Sequence, residues 1–246
     1  DSLEGVKDFI LGISGRLSNT PILLLDGEAG IGKSHLIADV VRNRNIRGKL
    51  SLFFLGQHFV TDEDPWIQIN KKINASFSFD EFLGALNSKA ETTGSRLILF
   101  IDAINEGRGK YFWGNNVKSF IKKFEKYKWL GLVISIRTSY KELIFPDSKW
   151  NNENIVEYTH YGFRDIEYDA VKIFFEGYEI QLPSVPLLHP EFQNPLFLKL
   201  FCEGLHKLGY TKVPDGFQGI TSIIEFFISS INLRLSQPDK LEYPSA

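Results

Sequence analysis

The sequence has few of the features that would assign it to a membrane, secreted or disulfide-rich class. It contains no methionine and a single cysteine, Cys202, among 246 residues, so no disulfide can form within the chain. One cysteine fits a reducing compartment, and we expect the cytoplasm. No apolar run approaches the ~20 residues of a membrane span, no signal peptide opens the chain, and we expect no membrane partner. Because the chain begins with Asp1 and lacks methionine, we expect it to be a piece of a longer protein.

A basic excess is also missing. The chain carries 28 basic and 30 acidic residues, a formal net charge of -2. Proteins that bind nucleic acid through its phosphates need surplus positive charge, so we expect no direct nucleic-acid site. In KSFIKKFEKYK, Lys118, Lys122 and Lys126 recur every four residues opposite apolar positions, which is typical of a solvated helix face. The five histidines show no metal-ligand spacing.

Five short apolar runs predict β-strands, and segments of helical periodicity lie between them. The predicted strands are Ile22 to Leu25, Leu50 to Leu55, Leu97 to Ile101, Leu130 to Ile136 and Ile155 to Tyr158. Ser78 and Glu81 have the spacing of a capping box at the start of one helix. Strands that are apolar throughout and alternate with helices favour a parallel sheet covered on both faces.

The character of the sequence changes after Gly162. Three helical patterns follow, at 166–178, 195–208 and 222–235, with no convincing strand between them. We therefore predict two domains, an α/β domain over 1–160 and a small helical domain over 161–246.

A glycine-rich stretch, DGEAGIGKSH, follows the first predicted strand and opens a predicted helix. It matches G-x-x-x-x-G-K-[ST] in full and in the required context. Its backbone N–H groups can close around a phosphate, with Lys33 reaching the β- and γ-phosphates and Ser34 Oγ binding Mg²⁺. A glycine-rich turn without a ligand is the alternative interpretation. The residues predicted to bind nucleotide here are Gly27, Gly30, Gly32, Lys33, Ser34 and His35.

A second motif, LILFIDAINE, places Asp102 at the carboxyl end of a buried strand. Ligands of open α/β sheets bind at that edge, so Asp102 is predicted to hold Mg²⁺ through water, opposite Ser34. Glu106, four residues later, is predicted to deprotonate the attacking water. Its alternative interpretation is a solvated loop residue.

A third segment, LVISIR, ends in Arg137. If its strand lies between the strand of the glycine-rich loop and the strand of Asp102, Arg137 emerges between the two and contacts the γ-phosphate. The sequence does not determine the strand order, so a surface arginine is the alternative.

Together, GEAGIGKSH, LILFIDAINE, VISIRTS and NPLFLKLF resemble the STAND class of P-loop NTPases, close to its NACHT-like members. DAINEG, preceded by FDEFLGAL, is most similar to the ATPase core of bacterial antiviral STAND proteins. The resemblance implies a P-loop NTPase of the additional-strand class, with a five-stranded parallel sheet, flanking helices and a following helical domain. It also implies an antiviral, ATP-dependent switch that binds ATP or ADP with Mg²⁺. Such switches form homo-oligomers when a module outside this sequence senses a protein trigger.

The resemblance also implies roles for individual residues. Asp102, Glu106 and Arg137 would be the metal-site acid, the hydrolytic base and the γ-phosphate sensor. Pro195 takes the place of the proline that packs on adenine.

Two positions depart from the family pattern. Asn105 stands where many NACHT-like members have Asp, so we expect weak ATPase activity, and Gln193 replaces a glycine before the proline.

Two other enzyme classes use the same loop. A nucleotide kinase or other phosphoryl-transfer enzyme needs a lid bearing arginines, but only Arg164 and Arg234 follow Arg137. An AAA+-like motor would need an arginine in its helical domain, and Arg164 is the candidate. Pro195 favours the switch class, and steady-state turnover would separate these alternatives.

Overall fold

The computed structural model describes residues 12–74, 77–146, 155–183, 190–214, 225–226 and 228–229. The chain divides into two compact units. The first comprises 1–29 and 33–160, and the second comprises 30–32 and 161–246.

The first unit alternates strands with helices. Its strands are β1 (Ile22–Asp26), β2 (Ser51–Leu55), β3 (Leu97–Asp102), β4 (Leu130–Ser135) and β5 (Val156–Thr159). Its helices are α1 (Ile13–Asn19), α2 (Lys33–Ile46), α3 (Pro65–Lys72), α4 (Phe79–Thr92), α5 (Gly109–Phe124) and α6 (Thr138–Ile144). Within the described ranges, no helix has the length and apolar character to cross a membrane.

The five strands form one parallel sheet in the order β2-β3-β4-β1-β5. The strand added between β1 and β3 is β4, which defines the additional-strand class of P-loop NTPase and confirms the predicted fold. In a parallel sheet, all carboxyl ends meet at one edge. The ends of β1, β4 and β3 therefore lie side by side at that edge.

A core rich in aromatic side chains lies between the sheet and helices α3, α4 and α5. Trp66 stacks on Phe120 with ring centroids 4.3 Å apart, and Trp113 contacts the same ring at 5.3 Å. Trp66 and Trp113 are almost fully buried. Burial of each large apolar side chain contributes about 1.5–3 kcal/mol to the free energy of unfolding. The packing of α3, α4 and α5 therefore stabilises one face of the sheet.

The second unit is helical in its described part. It contains α7 (Glu167–Gly177), a 3₁₀ turn at Pro190–Gln193 and α8 (Pro195–Lys207). Its core is built from buried apolar residues, among them Val171, Phe175, Phe192, Phe201 and Cys202. The predicted helical pattern at 222–235 lies outside the described residues, apart from 225–226 and 228–229.

Candidate functional site

The glycine-rich loop connects the end of β1 to the start of α2. Gly30 has φ +72° and Gly32 has φ +96°, a left-handed conformation that glycine adopts without a steric cost. Such turns aim backbone N–H groups at a common point and create an anion site. Helix α2 has 14 residues and no acidic residue in its first turn. Its N-terminus therefore adds partial positive charge at the loop.

Lys33 is the cation of this loop. Its Nζ donates hydrogen bonds to the carbonyl oxygens of Gly27, at 2.6 Å, and Glu28, at 2.8 Å. Burial lowers the pKa of Lys33, and the charge of Arg137 lowers it further, against opposing carboxylates that include Asp102. The neighbouring carboxylates therefore do not fully compensate the charge of the ammonium group, and this favours the binding of a phosphate.

Asp102 ends β3 and is 3% exposed. Its Oδ1 accepts a hydrogen bond from the hydroxyl of Ser135, whose Oγ accepts one from the Ala103 N–H at 2.7 Å. Ala103 has φ +54°, an uncommon value for a residue with a side chain. The chain therefore turns sharply after Asp102 while Ser135 holds the carboxylate.

Glu106 and Arg137 face each other across the edge of the sheet. Arg137 Nη2 lies 3.4 Å from Glu106 Oε1, and both side chains are partly exposed. The backbone N–H of Arg137 donates to Asn105 Oδ1 at 3.0 Å. The structure therefore brings Lys33, Asp102, Glu106 and Arg137 to one edge of the first unit.

The other loop residues have simpler surroundings. Ser34 and His35 are exposed in the first turn of α2, and Gly27 is buried beneath Lys33. Exposure leaves the Ser34 hydroxyl accessible to a ligand. No contact in the described structure distinguishes His35 as a binding residue.

Pro195 is the first residue of α8 in the second unit. Proline suits this position because its missing N–H has no partner in a helix. The Asn194 side chain caps the helix by accepting from the N–H groups of Leu196, at 2.9 Å, and Phe197, at 3.2 Å. Within the same unit, the Leu196 N–H donates to the Gly30 carbonyl at 3.2 Å. Contact of Pro195 with adenine stays a prediction.

The donor set fits Mg²⁺ bound together with phosphate. In the described part of the chain, no cluster of three or more His, Cys, Asp or Glu residues is arranged to hold a metal. Mg²⁺ does not need such a cluster, because it typically keeps waters and binds one or two protein oxygens plus substrate phosphates. The Ser34 hydroxyl and the buried Asp102 carboxylate supply oxygens of that kind.

Sequence reasoning missed three further residues of this edge: Asp26, Ser135 and Lys141. Ser135 contacts Asp102, while Lys141 Nζ lies 3.3 Å from Asp26 Oδ2 and 2.5 Å from Glu157 Oε2. The sequence contains a weak indication of two of them, because Asp26 directly precedes the loop glycine Gly27 and Ser135 interrupts an apolar run. Nothing in the sequence pairs Lys141 with Asp26.

No protein-family model and no curated protein matches the chain. Among solved structures it resembles AMPPCP-bound DnaA from Aquifex aeolicus, with 13% identity, TM-score 0.49, and coverage of 96% of this chain and 67% of that one. It also resembles a RuvB mutant from Thermotoga maritima, with 14% identity, TM-score 0.44, and coverage of 99% of this chain and 73% of that one. The Orc1 protein of Aeropyrum pernix matches with 16% identity and TM-score 0.43. The match covers 90% of this chain, but the chain spans only 65% of the length of that protein. This similarity is too low to carry an argument about function.

Proposed function

We propose that the protein binds ATP with Mg²⁺ at the carboxyl edge of its sheet and hydrolyses it. The observation that carries this proposal is the position of β4 between β1 and β3. That order brings Arg137 to the same edge as Lys33 and Asp102.

Binding uses the loop and the two strand ends. Lys33 would contact the β- and γ-phosphates, while Ser34 and Asp102 would hold Mg²⁺, which neutralises the charge that develops on the phosphates. The lowered pKa of Lys33, caused first by burial, means that its ammonium group gains more from a phosphate than an exposed lysine would.

Hydrolysis requires a base and a cation at the γ-phosphate. Glu106 would accept the proton of the attacking water, and Arg137 would stabilise the charge on the transferred group. The distance of 3.4 Å between Arg137 Nη2 and Glu106 Oε1 supports assigning both functions to one small region.

Calorimetry on a Lys33→Ala variant tests the proposal. We expect Lys33→Ala to abolish measurable ATP–Mg²⁺ binding without changing the circular dichroism spectrum. Lys49→Ala is the matched control, because Lys49 is an exposed lysine just beyond the far end of α2. Unchanged affinity in Lys33→Ala would refute the proposal.

A slow switch of the STAND type is a second proposal for how this ATPase core is used. It is favoured by the partners of the hydrolytic residues: Glu106 is paired with Arg137, and Asn105 is an amide already engaged by a backbone N–H. Antiviral action, a protein trigger and oligomerisation would follow from the same proposal.

The alternative is an AAA+-like ATPase, the type to which the solved structures named above belong. It would use the same loop, metal-site acid and arginine. Sustained rapid turnover would favour this alternative over the switch.

A further inference from the structure

Asp26 is a buried carboxylate at the base of the loop. It ends β1, is 3% exposed, and has one carboxylate oxygen, Oδ1, without a hydrogen-bond partner in the described structure. A buried carboxylate is costly unless a cation compensates it. Lys141 supplies that cation, with its Nζ 3.3 Å from Asp26 Oδ2.

Lys141 is itself held firmly. Its Nζ also donates to Glu157 Oε2 at 2.5 Å, so a carboxylate from β5 fixes it beside β1. Burial disfavours the charge of Lys141, but its hydrogen bonds and charge pairing with Glu157 and Asp26 outweigh burial and raise its pKa. The ammonium group therefore stays charged over the working range of pH.

The helix that carries Lys141 begins directly after Arg137. At this corner, the Ile136 N–H donates to the Leu25 carbonyl at 3.0 Å, and the Thr138 N–H donates to the Gly27 carbonyl at 3.2 Å. The corner that presents Arg137 and the strand end that begins the loop are thus joined by backbone hydrogen bonds and by the Lys141–Asp26 pair.

Lys33 is the second cation that Asp26 influences. The Lys33 Nζ donates a hydrogen bond to the carbonyl oxygen of Gly27, the residue directly after Asp26, and the Asp26 carboxylate favours the charged form of Lys33. If Lys141 were absent, Asp26 would lose the cation that lies 3.3 Å away, and its uncompensated charge would attract the Lys33 ammonium group more strongly. Attraction of Lys33 toward Asp26 would compete with its contact to phosphate.

We propose that Lys141 is a positioning residue for nucleotide binding: it neutralises Asp26 and thereby keeps that carboxylate from competing with the phosphates for the Lys33 ammonium group. This inference rests on the proposed ATP site. It assigns Lys141 and Asp26 no contact with the nucleotide.

Titration calorimetry with ATP–Mg²⁺ on the full chain tests the proposal through charge removal and rescue. Lys141→Met should weaken binding about tenfold, because the carboxylate left behind competes for Lys33. The double variant Asp26→Asn/Lys141→Met removes both charges and should bind within about threefold of wild type. Lys122→Met, at an exposed lysine of α5, is the matched control and should bind like wild type.

The rescue shows that weaker binding in Lys141→Met comes from the unpaired Asp26 carboxylate, because a packing defect at Lys141 would persist in the double variant. If Lys141→Met does not fold, the double variant against wild type decides: binding within about threefold supports the proposal, and lost binding overturns it. Unchanged binding in Lys141→Met, or a double variant as weak as Lys141→Met, also overturns it. Failure of the wild-type chain to bind ATP would instead overturn the proposed function and this inference with it.

Discussion

The hydroxyl of Ser135 donates a hydrogen bond to Oδ1 of Asp102, although 33 positions separate the two residues in the sequence. Both are the last residues of neighbouring strands, and both are buried. The end of β4 thus orients the carboxylate that we propose as a metal ligand.

We expect Ser135→Ala to impair use of Mg²⁺ while leaving metal-free nucleotide binding intact. Loss of a hydrogen bond that orients a metal ligand typically costs about 10–100-fold in metal affinity or activity. Titration of Mg²⁺ against ATP hydrolysis measures the effect. Ser119→Ala, at an exposed serine of α5, is the control. An unchanged Mg²⁺ dependence would show that the Ser135 hydrogen bond does not orient a metal ligand.

Glu106→Gln separates binding from hydrolysis. The amide keeps the shape of the side chain but cannot take a proton, and loss of a general base typically costs on the order of 10²–10⁴ in rate. ATP affinity should stay nearly constant by calorimetry. Equal hydrolysis rates in variant and wild type would assign Glu106 to the solvated loop interpretation.

Arg137→Ala should weaken ATP more than ADP, because only ATP carries the γ-phosphate. Removing the arginine also frees Glu106 from its ion pair, but a partly exposed pair is worth only about 0–1 kcal/mol. Arginines that stabilise a transferring phosphoryl group contribute about 10³–10⁵ in rate, so hydrolysis should fall. Parallel titrations with ATP and ADP measure the selectivity. Equal weakening of both nucleotides would place Arg137 outside γ-phosphate recognition.

The sequence predicted the first unit well because its pattern is strong. All five strands begin and end within one residue of their predicted bounds, and the capping box of Ser78 and Glu81 is formed. The glycine-rich loop lies between β1 and α2 as expected. The pattern determined which elements exist, but it left strand order open, and only that order brings Arg137 beside Asp102.

The missed parts depend on contacts that local patterns do not encode. Helix α3, which was not predicted from the sequence, has only eight residues and begins at Pro65 with Asp64 as its cap. Ser135 and Lys141 acquire their roles from Asp102 and Asp26 on other strands. Such partners appear only once the register of the sheet is known.

Cys202 offers a probe of the second unit. Burial raises the pKa of its thiol to about 12 from an ordinary value of 9.0. The native chain should therefore resist alkylation at pH 8, whereas the urea-unfolded chain should react at once. Because the folded pKa is raised, the thiol's contribution to the free energy of unfolding is complete below pH 9 and is lost as pH rises toward 12. Rapid labelling of the native chain at pH 8 would show that the core around Cys202 opens readily.

This chain should hydrolyse ATP slowly. Glu106 is paired with Arg137, and the Asn105 amide oxygen already accepts a hydrogen bond from a backbone N–H, so position 105 offers no second carboxylate beside the proposed base, Glu106. We expect steady-state turnover below about 1 s⁻¹, the lower end of typical enzyme rates. A nucleotide can drive a switch only if it binds one of two protein conformations more tightly than the other. We expect assembly to need further modules that respond to this difference, so this chain should stay monomeric with either ATP or ADP. Phosphate release and light scattering, with Lys33→Ala as the control, measure both properties. Turnover well above that rate, or stable rings formed by this chain with ATP, would favour the AAA+-like motor over the switch.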